Sequence, residues 1–400
     1  MSDKKAIFGW VIYDLANTAF SALFITFFFP LLIKVYLGGN EFQLGLVMGL
    51  SMLLAGILVP LIGAVSDSTG RKIPFVIFFT ITCVVFTIIT PYLGLYLALL
   101  FALLANLAYH SAIDVYDALL VDISTKQNIG TISGYGVATG YLGTILSLIM
   151  AYIILIIFGF NTKTGIQAIF PATALFFLAF STITFVLVKD KIKKAKIPLK
   201  TAIKKSFSQL KDTLTNMHNH KGLLPFLIAS FIYTDGMNTA ILFLYLYGRE
   251  QIKLTLVSFF YVYAVMAVAA MIGSLVFGRI TDKIGPKKTL SISLGIWILI
   301  ITLLINVNNL KSFLIAGSLG GVALGAIWTA TRPMLVQLSP KQKIAELFGF
   351  QGLTEKFSGV FGPVIFGYVV VKSGYQPALI VLLGFFILGL LILYKVPSKK

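Results

Sequence analysis

Apolar runs of about 20 residues recur twelve times along this 400-residue chain, each long enough to cross ~30 Å of hydrocarbon as a helix. They lie near 7–37, 42–66, 73–92, 94–123, 130–159, 168–188, 222–248, 254–280, 289–306, 311–338, 343–371 and 375–396. A bilayer offers no partner for an open backbone, so continuous runs of this length are read as spanning helices. With 58% hydrophobic and 12% charged residues and a mean hydropathy of +0.95, the chain lies outside the soluble range. The expected class is an all-α membrane protein.

The chain also repeats itself. Asp14-x-x-Asn17-Thr18-Ala19 in the first run returns as Asp235-x-x-Asn238-Thr239-Ala240 in the seventh. A loop pattern, Gly63-x-x-x-Asp67-x-x-Gly70-Arg71-Lys72, returns as Gly278-x-x-x-Asp282-x-x-Gly285-Pro286-Lys287-Lys288. The expected organisation is therefore twelve transmembrane helices in two pseudo-symmetric six-helix bundles, residues 1–188 and 222–400, joined by a cytoplasmic linker at 189–221. Within the linker, Ile203, Phe207, Leu210, Leu214 and Met217 keep helical spacing among lysines, which reads as a short amphipathic helix on the membrane surface. Duplicated membrane halves with ionisable groups at matched depths are the pattern of a secondary transporter.

The net charge of +18 points first to a nucleic-acid partner, but its distribution argues against one. Of 32 Lys and Arg, 24 fall on one alternating set of loops and the two termini, and six on the opposite loops. By the positive-inside rule both termini are expected in the cytoplasm, of a cell membrane in this reading. The expected partners are the lipid bilayer and a small-molecule substrate, with the chain acting as a monomer. Cys83 is the single cysteine, so no disulfide framework or thiolate metal site is expected. No phosphate loop, His-Glu-x-x-His or Gly-x-Ser-x-Gly occurs, and no enzyme activity or resident cofactor is expected.

Polar residues inside the apolar runs carry the functional reading. At about 100° per residue, Asn106, His110, Asp114 and Asp117 fall within an arc of about 80° on the fourth run. Asp14 and Asn17 share a face of the first run with Trp10, and Asp235 and Asn238 repeat them on the seventh. Trp328 and Arg332 share a face of the tenth run, and Glu355 lies in the eleventh. Six charges among these, Asp14, Asp114, Asp117, Asp235, Arg332 and Glu355, would together cost about 15–20 kcal/mol facing lipid. That exceeds the stability of most domains, so they must line water or be paired. Asp114 and Asp117 lie one helical turn apart and compete for charge, which suits a shared H⁺, or a Na⁺ held with the oxygens of Asn106 or Asn17. A structural pairing of that couple with Arg332 is the alternative. Asp14 and Asp235 have an alternative of their own, capping or tying neighbouring helices. In the loops, Gly70 and Gly285 permit tight turns, and Asp67, Arg71, Asp282 and Lys287, with Gly63 and Gly278, are read as gating rather than substrate-binding.

The two loop patterns resemble the major facilitator superfamily motif between spans 2 and 3 and its weaker copy between spans 8 and 9, with Ser68 where that family has a basic residue. Trp10-x-x-Tyr13-Asp14-x-Ala16-Asn17-Thr18-Ala19-Phe20, Tyr116-Asp117-Ala118-Leu119-Leu120, Ser133-Gly134-Tyr135-Gly136 with Gly140-Tyr141-Leu142-Gly143, and Phe231-x-Tyr233-x-Asp235-Gly236-x-Asn238-Thr239 resemble the "unknown major facilitator" family, as does Ala345–Phe350 with Gly362-Pro363. That family includes fungal autophagy-associated vacuolar effluxers of amino acids. The resemblance implies the major facilitator fold, alternating access and a small polar solute such as an amino acid. Val121, Trp328 and Glu355 depart from the family pattern, the last two at cavity positions. A Na⁺-coupled sugar-type symporter, and a lipid-handling or non-transporting membrane protein of the same fold, are the alternatives.

Overall fold

The structure, a computed structural model, describes residues 4–69, 71–124, 129–190, 222–338 and 344–397, with the single positions 198, 201 and 208. The expected linker helix around Ile203–Met217 and the turn residue Gly70 lie outside the described residues, as do the side chains of Gly63, Asp67 and residues 344–350.

The described residues are helical throughout, without strands. In chain order the helices are α1 (Lys4–Tyr36), α2 (Glu41–Thr69), α3 (Ile73–Ile89), α4 (Leu95–Ile123), α5 (Ile129–Phe158), α6 (Lys163–Leu187), α7 (Leu223–Ile252), α8 (Leu256–Ile284), α9 (Pro286–Ile305), α10 (Leu310–Leu338), α11 (Ile344–Phe357), α12 (Phe361–Ser373) and α13 (Tyr375–Tyr394). Among the described residues, eleven helices are long and apolar enough to cross a membrane. The eleventh expected span is instead built from α11 and α12 in succession. Pro363 explains the break: it has no N–H to offer Gly359 four residues earlier, and its ring opposes that carbonyl. The chain crosses 358–360 in a tight turn, with Gly359 N–H donating to Lys356 O (3.3 Å) and Val360 N–H to Phe357 O (3.3 Å).

Packing divides the chain into two units. Unit 1 comprises Met1–Gly39 and Leu50–Ser208. There α1 lies against α5 and α6, and α3 against α4 and α6. Unit 2 comprises Asn40–Gly49 and Gln209–Lys400. Its pairings follow the same scheme, with α7 against α11, α12 and α13, and α9 against α10 and α13. The core of unit 1 is strongly aromatic. Phe20, Phe24 and Phe29 stack in series along α1, and Phe170 meets Phe24 edge-on.

Small residues set the closest approaches. On α10, Gly321 and Gly325 sit against the backbone of Met266 and Ala270 on α8, and Gly273 on α8 lies against Val322. The glycine run Gly317–Gly325 is thus a helix-packing surface. In unit 2, residues 40–49 lie on α12 through Gly45 and Gly49, which meet Pro363 and Val360, and through Gly367, which meets the Glu41 backbone. Tyr375 OH donates to Glu41 Oε1 at 2.9 Å, with both side chains buried.

Candidate functional site

In unit 1 the polar face is built on the α1–α4–α5 contact. Trp10 and Tyr116 hold each other reciprocally: Trp10 Nε1 donates to Tyr116 O (3.1 Å), and Tyr116 OH donates to Trp10 O (2.9 Å). Their rings stack at 4.7 Å, and Tyr13 covers the Tyr116 ring at 4.5 Å. Tyr13 is fixed in turn by a 2.7 Å hydrogen bond with Thr80. This aromatic stack sets the rotation of α1 and presents Asp14 half-buried one turn along. Asn17 Nδ2 donates to Asp14 Oδ1 at 3.2 Å. The Asp14 carboxylate and the Trp10 ring lie where a side chain at Gly136 would be, while Gly143 approaches the backbone of Leu15. Thr18 Oγ1 donates to Gly140 O at 2.9 Å. The glycines of the fifth-span motif are therefore present because α1 lies directly on them.

On α4 the predicted stripe grades from buried to exposed. Asn106 is 2% exposed and donates from Nδ2 to Ser51 Oγ at 2.6 Å. His110 and Asp114 are half-buried, and Asp117 is exposed. Asn106 Oδ1 and Ser111 Oγ are buried without a hydrogen-bond partner among the described residues.

In unit 2 the duplicated carboxylate meets a different environment. Asp235 is fully buried, and its Oδ2 accepts from Gly362 N–H at 2.8 Å, at the head of α12. Thr239 Oγ1 donates to the Asp235 carbonyl at 2.7 Å. Nearer the break, Gln351 Nε2 donates to Ser230 Oγ (3.0 Å) and to Glu355 Oε1 (3.1 Å). Asn238 and Glu355 are half-buried, and Trp328 and Arg332 are exposed on α10. The capping role open to Asp235 in the sequence is thus present, since a carboxylate at a helix N-terminus meets both its free N–H groups and its dipole.

The loop patterns are tied down by a lysine in each copy, Lys72 and Lys287, and by Asp190 from outside the motif. Lys72 Nζ pairs with Asp122 Oδ2 at 2.7 Å and bonds Ala118 O at 2.8 Å, both at the end of α4, and Arg71 beside it is an exposed residue. Asp190, just past α6, accepts from Lys72 N–H (2.7 Å) and Ile73 N–H (3.0 Å) and so caps α3. In the second copy Gly285 adopts φ +87°, the turn expected of it, and Gly278 has room around it. Asp282 is exposed. Lys287, the repeat of Lys72, donates to the carbonyls of Tyr394 and Val396 at the end of α13. The sequence offered one signal for Lys72: its duplicate Lys287 stands 215 residues later, at the offset of the loop motif itself. Among the described residues no cluster of three or more His, Cys, Asp or Glu is placed to hold a metal ion.

The fold has known counterparts. The chain superposes on a crystal structure of a variant of the nucleoside transporter NupG with a TM-score of 0.77, at 14% identity, covering 98% of this chain and 100% of that one. An uncharacterized MFS-type transporter of Bacillus subtilis (strain 168), YxiO, is 26% identical over 98% of this chain and 94% of its own. The multidrug resistance protein MdtG of Escherichia coli (strain 536 / UPEC) is 22% identical over 95% of this chain and 91% of its own. Residues 121–400 match the family described as vacuole effluxer Atg22 like. With its helical pairings repeated in two units and its polar faces at duplicated positions, the chain is an integral multi-pass membrane protein of the major facilitator type and belongs to the Atg22-like vacuole effluxer family.

Proposed function

We propose that this transporter moves a small polar solute, with amino acids as the first candidates, by ion-coupled alternating access. One observation carries the reading. Carboxylates and amides stand inside long apolar helices at duplicated positions on α1 and α7, and further polar groups share one face of α4. Polar groups of this kind are retained inside a membrane where they serve a solute or ion path. Asp14, Asn17, Asn106, His110, Asp114 and Asp117 would supply that path from unit 1, and Asp235, Asn238, Trp328, Arg332 and Glu355 from unit 2. A carboxylate and an arginine together suit the two ends of a zwitterion. The charge bias of the loops supports a cell-membrane protein with both termini in the cytoplasm. The ties made by Lys72 and Lys287 are the contacts on which the loop motifs would act in gating.

Reconstitution in liposomes tests this reading. Labelled amino acids are screened under imposed pH and Na⁺ gradients, with nucleosides and drugs as further arms, after the nucleoside transporter of like fold and the multidrug resistance relative. Gradient-driven flux that is lost in Asp117→Asn supports it. No flux of any amino acid from folded protein under any gradient would sink the amino-acid assignment.

A further inference from the structure

The two duplicated carboxylates differ in what their partner helix does. Opposite Asp14, α5 runs unbroken from Ile129 to Phe158. Opposite Asp235 the corresponding span is interrupted between α11 and α12, and the carboxylate stands at the interruption. Capping accounts for one of its oxygens only. Asp235 Oδ2 accepts the Gly362 N–H, while Oδ1 is buried without a hydrogen-bond partner among the described residues. That oxygen lies against Gly362, 2.7 Å from where a Cβ would be, beside Thr239 Oγ1 and the Asp235 carbonyl oxygen. A bare carboxylate oxygen closed off from solvent is costly, and an added cation removes that cost. Broken spans at mid-membrane are also where transporters hold coupling ions.

We propose that Asp235 Oδ1 at the α11–α12 break binds the coupling monovalent cation, a proton or Na⁺. This deepens the ion-coupled reading above and rests on it, but it places the ion on α7 rather than on the Asp114–Asp117 pair. Binding there changes the charge facing the head of α12 and so acts on the joint between two half-helices. Among the described side chains, the charged groups on elements packed against α7 are Glu355 and Lys356 on α11, Lys372 on α12, Lys311 and Arg332 on α10, and Lys395 after α13, and α11 also carries Glu346 in sequence. The tyrosines on those elements are Tyr368, Tyr375 and Tyr394, and α7 itself carries Arg249 and Glu250 at its far end.

Asp235→Asn separates a cation site from a plain cap, because its amide oxygen still accepts the Gly362 N–H while the charge is gone. The full-length protein in nanodiscs is unfolded thermally across a pH series at fixed Na⁺, and across a series exchanging choline for Na⁺ at fixed pH. No transport substrate is needed, so a failed flux screen leaves this result standing. The wild type is expected to respond in one series, naming the ion. The response should vanish in Asp235→Asn and survive in Glu250→Gln, a carboxylate removed from the far end of the same helix. A wild type indifferent to both series, or a response that persists in Asp235→Asn, overturns the proposal. Should Asp235→Asn fail to fold, ion-induced infrared difference spectra of the wild type and Asp235→Glu decide instead. A carboxyl band that moves between the two supports the site, and identical spectra overturn it.

Discussion

Gly362→Ala should destabilise the protein by an amount that follows from one contact. The new Cβ would overlap Thr239 Oγ1 and stand 2.7 Å from Asp235 Oδ1 and 2.9 Å from the Asp235 carbonyl oxygen. The carbonyl belongs to the α7 backbone, and the carboxylate is held by the Gly362 N–H itself, so α12 must move away from α7. Overpacking of this kind costs about 1–3 kcal/mol. Stretching the buried bond to the carboxylate adds about 1–3 kcal/mol. The better helix propensity of Ala returns up to about 1 kcal/mol. The net loss centres near 3 kcal/mol. Gly384→Ala on α13 is the control, because nothing lies within 4 Å of its would-be Cβ and only the propensity gain applies. Denaturation of both variants in bicelles, followed by intrinsic tryptophan fluorescence, measures the difference. Gly362→Ala as stable as Gly384→Ala would refute the close approach of α7 and α12, and with it the Asp235–Gly362 bond.

Three further outcomes follow from the same packing. Lys72→Met removes the Lys72–Asp122 ion pair and should cost about 1 kcal/mol, because the pair is partly exposed; a double-mutant cycle of Lys72 with Asp122 should show coupling of that size, and its absence would refute the pair. Tyr116→Phe removes the bond to Trp10 O while keeping both ring stacks, so about 1 kcal/mol of stability should be lost in the same fluorescence assay with little change in the emission of Trp10. Tyr375→Phe takes away the donor to buried Glu41 and should cost about 1–3 kcal/mol, an effect that Glu41→Gln in the same chain should largely absorb.

The spans and their duplication were legible because a bilayer enforces long apolar runs, and because Asp14 and Asp235 stand out sharply against them. The interruption between α11 and α12 was not. Gly362-Pro363 was visible, but proline is tolerated within membrane helices when neighbours satisfy the freed groups, so its presence does not decide between a kink and a break. Here Asp235 supplies the missing acceptor from another helix, a long-range fact that no local pattern carries. That Lys72 reaches Asp122 depends on how the chain turns after α2, which the loop motif does not carry. Asp190 opens a lysine-rich stretch that reads as linker, yet it caps α3. Ser51 and Gln351 were overlooked because neutral polar residues raise little signal in an apolar run. Each nevertheless contacts a predicted residue, Asn106 and Glu355 respectively.

The repeat also shows why equal motifs need not carry equal roles. Asp14 and Asp235 occupy the same place in D-x-x-N-T-A, and each lies against the equivalent span of its own unit. Around Asp14, Asn17 donates to the carboxylate, and α5 presents a glycine face whose backbone is already bonded within a continuous helix. Its side chain stays half-buried. Around Asp235, the partner helix has surrendered its continuity, and the carboxylate satisfies part of what that break exposes while being fully closed off. A group without exposure cannot select a solute of any size, but it can hold a cation small enough to pass between packed helices. On the proposed reading the difference in burial divides the labour: Asp14 would face the solute, and Asp235 the joint. Asn substitution should therefore change solute affinity at Asp14 and ion response at Asp235. A matched pair of phenotypes would show that the halves had kept their original equivalence.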